Sequence, residues 1–578
     1  MAPTAGHAAR PSPRAEAAWA ALVAEHAVHD ALLDPLSAGE EGDGEALARL
    51  PDTSSEAGAQ AEARRLSLQA GLARVDPARL SAEHALDHAL LSRALRLEAE
   101  ASQLDLVRIA FENDWGFHTL GDHLGRTTVI ASRADAEAWL SRLAALPAWV
   151  DQHLGHLQRG IDTGFTQPTL VVDRVLEVAR AQAATPPEAS PLLLPFAGTP
   201  RGLDATEADA FRARALELVR TEVLPRQQAF VAFLEQSYLP AARPSLAWRS
   251  LPDGETSYRF LVQRETTTDL TPDEIHALGL AEVARIRGLM EADLRASGFP
   301  GDLSAWLAHL RTEPRYYASS ADELLRHAAE IAKRADDRLP ALFGRLPRLP
   351  YGVRPVPDEL AEGYTTARYW PGSPALGRAG GYMVNTSHLD QRPLYELPAL
   401  TLHEAVPGHH LQIALAQELT ELPAFRRHAS PTAYVEGWAL YAEFLGEEMG
   451  MYRTPEERFG RWSMEMWRAC RLVADTGIHW LGWDLEQART CFTENTALSP
   501  HNIQTELERY VSWPAQALAY KVGELTILRL RREAEAALGD RFDVRAFHDV
   551  ILGSGALPLD VLEQQVQGWV ATQREQGR

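Results

Sequence analysis

The chain has 578 residues, of which 46% are hydrophobic and 24% are charged, an ordinary composition for a globular protein. Its length allows roughly two to four domains or one large enzyme. The formal net charge of −22 argues against nucleic acid or an anionic membrane as a partner, because a surface that binds phosphates needs clustered Lys and Arg.

The cysteine content narrows the kind of metal site. Only Cys470 and Cys491 are present, which rules out a disulfide framework and a cysteine-rich zinc site. Any metal would then be held by histidine and carboxylate. Residues 1–19 lack an apolar run of signal-peptide length, and no later stretch approaches the roughly 18–20 apolar residues of a spanning helix. We therefore expect a cytoplasmic protein.

Helical periodicity dominates the first 250 residues. The acidic stretch 37–55 is rich in Gly, Glu and Ser and is expected to form a loop. Just beyond this part, residues 258–267 alternate apolar and polar side chains, which predicts a short strand. The helices predicted here are 13–34, 56–75, 79–110, 132–160, 167–186 and 205–237.

The next helix has a clear start signal. Thr271 suits the N-cap, Pro272 suits the first helical position and Glu274 follows the cap by three residues. We predict that this helix runs to about residue 297. The later helices are predicted at 319–336, 393–418, 431–449, 455–475, 484–495, 500–511, 514–538 and 558–574.

Residues 349–385 have a different character. They are rich in Pro, Gly, Tyr and Thr, and they predict a small sheet with strands near 363–370 and 380–386. The whole pattern predicts a mainly α fold. No internal repeat or clear linker is visible, so we expect two lobes of one continuous fold, with 1–250 as an N-terminal helical lobe and 251–578 as the region that carries the chemistry.

Metal-binding residue types are concentrated in one short stretch. His403, Glu404, His409 and His410 lie within eight residues near the end of a predicted amphipathic helix. In the zinc-peptidase pattern His-Glu-x-x-His, a spacing of four places both imidazoles on one helical face and leaves the Glu as base. Here the fourth position after His403 is a proline, and the next histidines follow six and seven residues on.

Pro407 and Gly408 could restore the missing geometry. Proline lacks the N–H that would bond to the carbonyl of His403, and glycine tolerates unusual torsions, so a kink can swing His409 back. In a regular helix His410 would share the face of His403, about 10 Å along the axis. The residues alone leave both histidines open as the second ligand.

A third protein ligand is expected from the helix predicted at 431–449. Glu436 follows His403 at a separation that suits a helix turning back beside the first. Its neighbours are mostly apolar, and Gly437 leaves room for close helix packing. Glu443 lies seven residues further on the same face. Solvent exposure is the ordinary alternative for both glutamates, but these neighbours favour Glu436 as a ligand.

Four polar residues precede the candidate metal helix. They could line a cleft that holds an extended substrate, or they could cap the turn into the helix. These residues are Asn385, His388, Asp390 and Arg392.

Three motifs carry a family resemblance: LHEAVPGHHLQ at 402–412, YVEGWALYAE at 434–443 and ERYVSWPAQALAYKVGE at 508–524. Together they resemble the bacterial family catalogued as domain of unknown function 885, and the likeness covers at least 271–523. That family looks like a distant relative of the helical gluzincin peptidases such as thimet oligopeptidase, neurolysin and carboxypeptidase Taq. The resemblance implies a two-lobed metallopeptidase-like fold with a deep cleft.

The resemblance also implies a ligand set for one zinc ion. In the helical gluzincins the second ligand histidine follows a glycine, as His409 does here, which favours it over His410. The first ligand and the base correspond to His403 and Glu404, and the downstream helix glutamate corresponds to Glu436. The two-residue expansion between the histidines departs from the usual gluzincin spacing.

The expected chemistry is metal-assisted hydrolysis of an amide or peptide bond. Glu404 would take a proton from water and deliver it to the leaving amine. The developing oxyanion needs a donor besides the metal, and phenols donate while neutral at pH 7. Tyr520 is the first choice, with Tyr510 and His479 as further candidates. Core packing is the ordinary alternative for each tyrosine.

A peptide or peptide-like small molecule is the expected substrate, and the sequence does not indicate an oligomeric state. One alternative is a gluzincin scaffold redirected to a specialised metabolite. Two histidines and a carboxylate also suit non-haem iron, although that triad usually belongs to a β-barrel. A non-catalytic metal-binding protein is a further alternative, but it would have no need of Glu404.

Overall fold

The computed structural model describes residues 11–40, 42–113, 115–361, 364–374 and 377–576. These residues are mainly helical, as predicted, and they include a three-stranded sheet. The chain divides into two compact units, one of Met1–Ser245 with Leu251–Asp253 and the other of Leu246–Ser250 with Gly254–Arg578. No helix in the described ranges is long and apolar enough to cross a membrane.

The first unit is built from helices. Its α-helices are α1 (Pro13–Leu33), α2 (Pro35–Glu40), α3 (Ser55–Leu72), α4 (Ala82–Gln103), α5 (Phe117–Thr127), α6 (Arg133–Thr163), α7 (Thr169–Ala184), α8 (Ala205–Leu218), α9 (Leu224–Phe233) and α10 (Leu239–Ala241). Several begin after a Ser or Asp whose side chain accepts a hydrogen bond from the first turn. These caps are Ser54, Ser81, Ser132 and Asp204.

Two predictions in this unit need correction. The helix expected over 205–237 is present, but it contains wider turns at Val219–Val223 and Leu234–Tyr238, and Pro225 after the first of them has no backbone N–H to donate. The loop expected over 37–55 contains the end of α2 and a short helical turn at Ala46–Ala48, while residue 41 lies outside the described residues.

The second unit carries every residue of the candidate site. Its α-helices are α11 (Gly254–Thr266), α12 (Pro272–Ser297), α13 (Leu303–Thr312), α14 (Ala321–Leu342), α15 (Asp358–Ala361), α16 (Leu397–Glu404), α17 (His409–Gln417), α18 (Ala424–Arg427), α19 (Thr432–Glu448), α20 (Pro455–Thr476), α21 (Leu485–Asn495), α22 (Pro500–Ser512), α23 (Ala519–Leu538), α24 (Val544–Leu552) and α25 (Leu559–Gln576). The capping signal at Thr271 starts α12 as predicted, with a reciprocal hydrogen bond between Thr271 and Glu274.

The predicted strand at 258–267 is wrong, since residues 258–266 lie in α11. Tyr258, Leu261, Val262 and Glu265 are buried, which is the spacing of one helical face rather than of a strand. The hydroxyl of Tyr258 donates to Asp475 of α20 at 2.6 Å. The helix packs against elements distant in the chain, including α19 and α23, and the local alternation does not reveal these contacts.

A small sheet precedes α16. Its strands are β1 (Tyr351–Pro355), β2 (Ala367–Trp370) and β3 (Gly380–Val384), in the order β1-β3-β2. β3 runs parallel to β1 and antiparallel to β2, with Tyr369 opposite Tyr382. The sequence predicted β2 and β3 but missed β1, and residue 363 of the predicted first strand lies outside the described residues. Because β2 is an edge strand, one side of its backbone remains available for other groups.

Two glycines allow α19 and α23 to pack closely. A Cβ at Gly437 would lie 2.5 Å from the Cα of Gly523, and a Cβ at Gly523 would overlap the carbonyl oxygen of Ala433. Only glycine fits this close approach of the two helices, as the sequence suggested for Gly437.

The two cysteines form a disulfide that joins Cys470 of α20 to Cys491 of α21.

Candidate metal centre

The helix predicted over 393–418 is broken into α16 and α17 around Pro407 and Gly408. The amide of Gly408 donates to the carbonyl of Leu402 at 2.9 Å, and that of His410 donates to Ala405 at 3.1 Å. These hydrogen bonds span six and five residues, so the turn is wider than an α-helical turn. A Cβ at position 408 would overlap the carbonyl oxygens of His403 and Leu402. The wide turn therefore requires glycine.

This turn brings His409 to the same place as His403 and Glu436. The Nε2 atoms of the two histidines lie 3.5 Å and 3.4 Å from Oε2 of Glu436, for His403 and His409 respectively. One ligand atom from each residue lies within 4.8 Å of the others, and no second group of this kind converges in the ranges the structure describes. The sequence proposed these three residues as ligands.

The spacing of these atoms fits a shared metal ion. Both contacts are longer than a good N–H···O hydrogen bond. Ligand atoms bound tetrahedrally to zinc at roughly 2.0–2.1 Å would stand about 3.3–3.4 Å apart. Oε2 of Glu436 is buried and has no hydrogen bond within the described part of the chain. Two imidazole nitrogens and one such oxygen match the three-ligand set of catalytic zinc sites.

The electrostatics of Glu436 follow from this arrangement. Its side chain is 17% exposed to solvent, and burial alone would raise the pKa of the carboxyl group. The adjacent His409 and His403 outweigh burial and hold the pKa of Glu436 well below its usual range. The carboxylate is thus ionised at neutral pH, as a metal ligand must be.

Glu443 orients His403 from behind. Nδ1 of His403 lies 2.8 Å from Oε1 of Glu443, and Arg468 of α20 pairs with the same oxygen at 3.2 Å. Burial alone would lower the pKa of His403, but Glu436 and Glu443 raise it to about 9. A carboxylate behind a ligand histidine fixes the tautomer that presents Nε2 to a metal. Glu443 has this role although the sequence assigned it none; its spacing of seven residues from Glu436 was the available signal.

Glu404 lies beside this cluster at the C-terminal end of α16. It is buried, and its Oε2 accepts a hydrogen bond from the backbone amide of Tyr369 at 2.7 Å. The edge strand β2 therefore fixes the carboxylate. Because residues 403 and 404 are consecutive, the candidate base and the first candidate ligand are placed by the same helical turn.

His410 is directed elsewhere. Its Nδ1 lies 2.9 Å from the hydroxyl of Tyr369, and its ring lies 4.6 Å from that of Tyr351 in β1. Burial lowers the pKa of His410 to about 4. The structure thus places His409 in the cluster and His410 against the sheet, which the residues alone left open.

Tyr520 is the candidate oxyanion donor that lies next to the cluster. Its ring is nearly parallel to that of His403, with 6.4 Å between centroids and 15° between planes. Its hydroxyl accepts a hydrogen bond from Nη2 of Arg509 at 3.2 Å. The guanidinium carbon of Arg471 lies 4.3 Å from the centroid of the Tyr520 ring, over its face. The close packing of α19 and α23 holds Tyr520 in this position.

Tyr510 and His479 belong to a buried network instead. The hydroxyl of Tyr510 accepts from Trp467 and Arg471, at 3.0 and 2.9 Å, and donates to Glu506 at 2.7 Å. Nε2 of His479 bonds to the carbonyl of Tyr510 at 2.8 Å, and its Nδ1 accepts the amide of Trp248 at 3.3 Å. The fold engages the polar atoms of both residues, and their role as catalytic groups stays a prediction.

Solved structures of bacterial proteins share this fold. A "putative lipoprotein" from Colwellia psychrerythraea is 28% identical, with a TM-score of 0.89 over 96% of this chain and 99% of the other. A "putative lipoprotein of unknown function" from Shewanella oneidensis is 18% identical, with a TM-score of 0.71 over the same shares, and shows the fold alone.

Sequence comparison gives a family but no characterised relative. No curated protein is significantly similar to this chain. The family model described as "Bacterial protein of unknown function (DUF885)" matches residues 35–566, most of the chain. The resemblance seen in the three motifs is thereby confirmed, and the chain belongs to the DUF885 family.

Proposed function

We propose that this protein is a zinc-dependent hydrolase that cleaves an amide or peptide bond. The observation that carries the proposal is the convergence of His403, His409 and Glu436 beside the buried carboxylate of Glu404. Three protein ligands leave one coordination position open, which distinguishes catalytic from structural zinc sites. Bound zinc would supply a Lewis acid that lowers the pKa of water and polarises a carbonyl.

Glu404 is the general base in this proposal. It would accept a proton from the attacking water and return it to the leaving amine. The hydrogen bond from the Tyr369 amide occupies Oε2, which leaves the other carboxylate oxygen for the proton. A non-catalytic metal-binding protein would not need an acid held in this position, so the observation favours an enzyme.

Tyr520 is the proposed oxyanion donor. Its hydroxyl accepts from Arg509, so its own proton is left to donate to a developing negative charge. The neighbouring guanidinium of Arg471 adds positive charge at its ring. A donor that is already positioned stabilises the transition state without reorganisation.

The relationship to the helical gluzincins belongs to the same proposal. The broken helix, the histidine after Gly408 and the glutamate on the following helix support it. The two-lobed metallopeptidase-like fold with a deep cleft stays a prediction, as do a peptide or peptide-like substrate and the absence of nucleic acid and membrane partners.

The cytoplasmic location expected from the sequence stays a prediction, and one observation argues against it. The Cys470–Cys491 disulfide is typical of proteins in an oxidising compartment such as the bacterial periplasm. A similar solved structure, 28% identical to this chain, is described as a "putative lipoprotein". We propose an extracytoplasmic location. The test is a count of free thiols in protein isolated from its native host without reductant, and two free thiols per chain would refute this location.

The central test replaces the proposed base. We expect Glu404→Gln to retain stoichiometric zinc, measured by elemental analysis, while hydrolysis of a mixed peptide library falls by roughly 10²- to 10⁴-fold. The amide keeps the size of the side chain and removes its ability to accept the proton.

The exposed Glu421→Gln provides the matched control and should leave the rate unchanged. A metal-free wild-type protein, or equal hydrolysis by Glu404→Gln and wild type, would refute the proposed function.

A further inference from the structure

A pocket lies next to the metal cluster within the second unit. Thr366, Arg392, Glu396, Leu400 and Trp467 contribute to its walls, and its cavity volume is about 20 Å³, which is room for a group of one or two water-sized atoms. Leu400 precedes His403 by three residues, so both lie on the same face of α16. The pocket is therefore roughly one helical turn, about 5 Å, from the first proposed ligand.

Arg392 is the charged donor of this pocket, and its hydrogen bonds go to uncharged groups. Only 9% of it is exposed. Its Nε donates to the carbonyl of Ser387 at 3.3 Å and its Nη1 to the hydroxyl of Thr366 at 3.1 Å. In the described part of the chain neither an ion-pair partner for this guanidinium nor an acceptor for its Nη2 is found.

The buried arginines of α20 show the contrast. Each of them is paired with a carboxylate: Arg461 with Glu465 at 3.0 Å, Arg468 with Glu443 at 3.2 Å and Arg471 with Glu506 at 2.9 Å. Arg392 is 9% exposed and its hydrogen bonds go to neutral oxygens, while Asp390 acts on it without an ion-pair contact. Burial without a paired charge is costly, and a carboxylate from a ligand would relieve that cost.

The protonation states of the pocket are compatible with an anion. Burial lowers the pKa of Arg392 to about 10, partly offset by Asp390, so the guanidinium remains charged at neutral pH. Burial raises the pKa of Glu396 to about 7, although the hydroxyl of Ser463 donates to it at 2.9 Å. Glu396 is therefore partly protonated near neutral pH, which limits its repulsion of a second carboxylate.

The edge strand connects this pocket with the candidate base. Thr366 directly precedes β2, and the amide of Tyr369 in β2 holds Glu404. Three residues of extended chain span roughly 10 Å. An extended substrate whose reacting carbonyl lies at the cluster can therefore reach Arg392 with a group one to three residues away.

We propose that Arg392 binds a carboxylate of the substrate in this pocket. The inference rests on the proposed function, since it assigns the substrate of the same site. The carboxylate can be the C-terminus of a short peptide or an acidic side chain. Guanidinium and carboxylate form two parallel hydrogen bonds, which gives the preference for an anion over an amide.

A binding experiment tests this without turnover. Calorimetric titration of the full chain with N-acetyl-leucine should give roughly ten- to hundredfold tighter binding than N-acetyl-leucinamide. The Arg392→Gln variant should bind both ligands equally. N-acetyl-glutamic acid α-amide distinguishes the sources: tight binding assigns the pocket to an acidic side chain, and weak binding assigns it to a C-terminal carboxylate.

Thr366→Val is the matched control. It removes one hydrogen bond to Arg392 but keeps the guanidinium, so the preference for the acid should persist. Arg392→Lys keeps the positive charge but cannot donate two parallel hydrogen bonds, so its preference for the acid over the amide should be smaller than that of wild type. This variant tests the inference if Arg392→Gln does not fold.

Equal affinity of wild type for acid and amide, or an unchanged preference in both Arg392 variants, overturns the inference. A protein that binds the acid through Arg392 but hydrolyses no peptide would support it while refuting the proposed function.

Discussion

The orientation of His403 depends on a buried chain of charges rather than on the metal motif itself. Glu443 holds Nδ1 of His403, and Arg468 holds Glu443. His409 lacks such support, since its Nδ1 is buried without a hydrogen-bond partner in the described ranges. The two proposed ligand histidines are thus fixed in different ways, one by a carboxylate and the other by the turn that precedes it.

Replacing the orienting carboxylate should weaken the site without removing a ligand. We expect Glu443→Gln to bind zinc about 10- to 100-fold more weakly, because the amide no longer fixes the tautomer of His403 or neutralises Arg468. Competition with a chromophoric chelator measures this affinity.

Glu447→Gln, on the exposed face of the same helix, is the control and should bind zinc like wild type. Wild-type affinity in Glu443→Gln would show that Glu443 does not act on the site.

Among the elements, the α16–α17 turn shows how a proline and a glycine can extend a metal motif. Proline at 407 and glycine at 408 were recognisable as helix breakers, and the structure shows where the broken chain goes. The two backbone hydrogen bonds of this turn join residues that are six and five positions apart, instead of the four of an α-helix. The wider turn places His409 rather than His410 beside His403. The direction of such a turn depends on carbonyl contacts that the sequence does not reveal.

A methyl group at residue 408 should disrupt this turn. We expect Gly408→Ala to lower the free energy of unfolding by about 3 kcal/mol and to reduce zinc content, because its Cβ would overlap two backbone carbonyl oxygens. Chemical denaturation and elemental analysis measure the two effects.

Gly288→Ala makes the same change on the open surface of α12, where no atom lies within 4 Å of the added Cβ. It should be neutral or stabilising by about 0.5–1 kcal/mol. Equal stability of the two variants would contradict the packing argument.

The capping signal at Thr271 and the alternation at 258–267 illustrate what local sequence can predict. A capping box is satisfied by atoms within one turn, so α12 formed as predicted. The alternating stretch lies in α11, where Tyr258 bonds to Asp475, 217 residues away. A contact at that separation has no signature in the local pattern.

At the scale of the whole molecule, the first unit buries an imidazole, that of His118, among aromatic rings. His118 lies about 6 Å from Phe117 and Phe230, measured between ring centroids, and neither of its nitrogens has a hydrogen-bond partner in the described part of the chain. Burial lowers the pKa of His118 to about 3.

Because His118 is buried, the free energy of unfolding of the first unit should decrease at acidic pH. Between a pKa near 6.5 in the unfolded chain and about 3 in the folded one, the unfolded state binds more protons at His118. Its contribution to stability is therefore present above pH 6.5 and is lost as the pH falls towards 3. The slope is about 1.4 kcal/mol per pH unit.

We expect His118→Phe to remove that slope from the free energy of unfolding, measured by denaturant titration at several values between pH 4.5 and 6.5. Comparison with wild type at each pH isolates His118 from other titrating groups. The half-exposed His327→Gln should leave the slope unchanged. An identical pH dependence in wild type and His118→Phe would contradict the prediction.

The sequence by itself determined the helical class, the family and the residue types of the candidate site, because these depend on periodicity, motifs and the chemistry of side chains. Only the tertiary structure brought Glu443 to His403 and directed Tyr510 and His479 into a buried network. It also placed His409 beside His403 and Glu436, which the resemblance had favoured and the residues alone had left open. It also revealed Arg392 without a paired carboxylate. Each of these depends on contacts between residues distant in the chain, which no local pattern encodes.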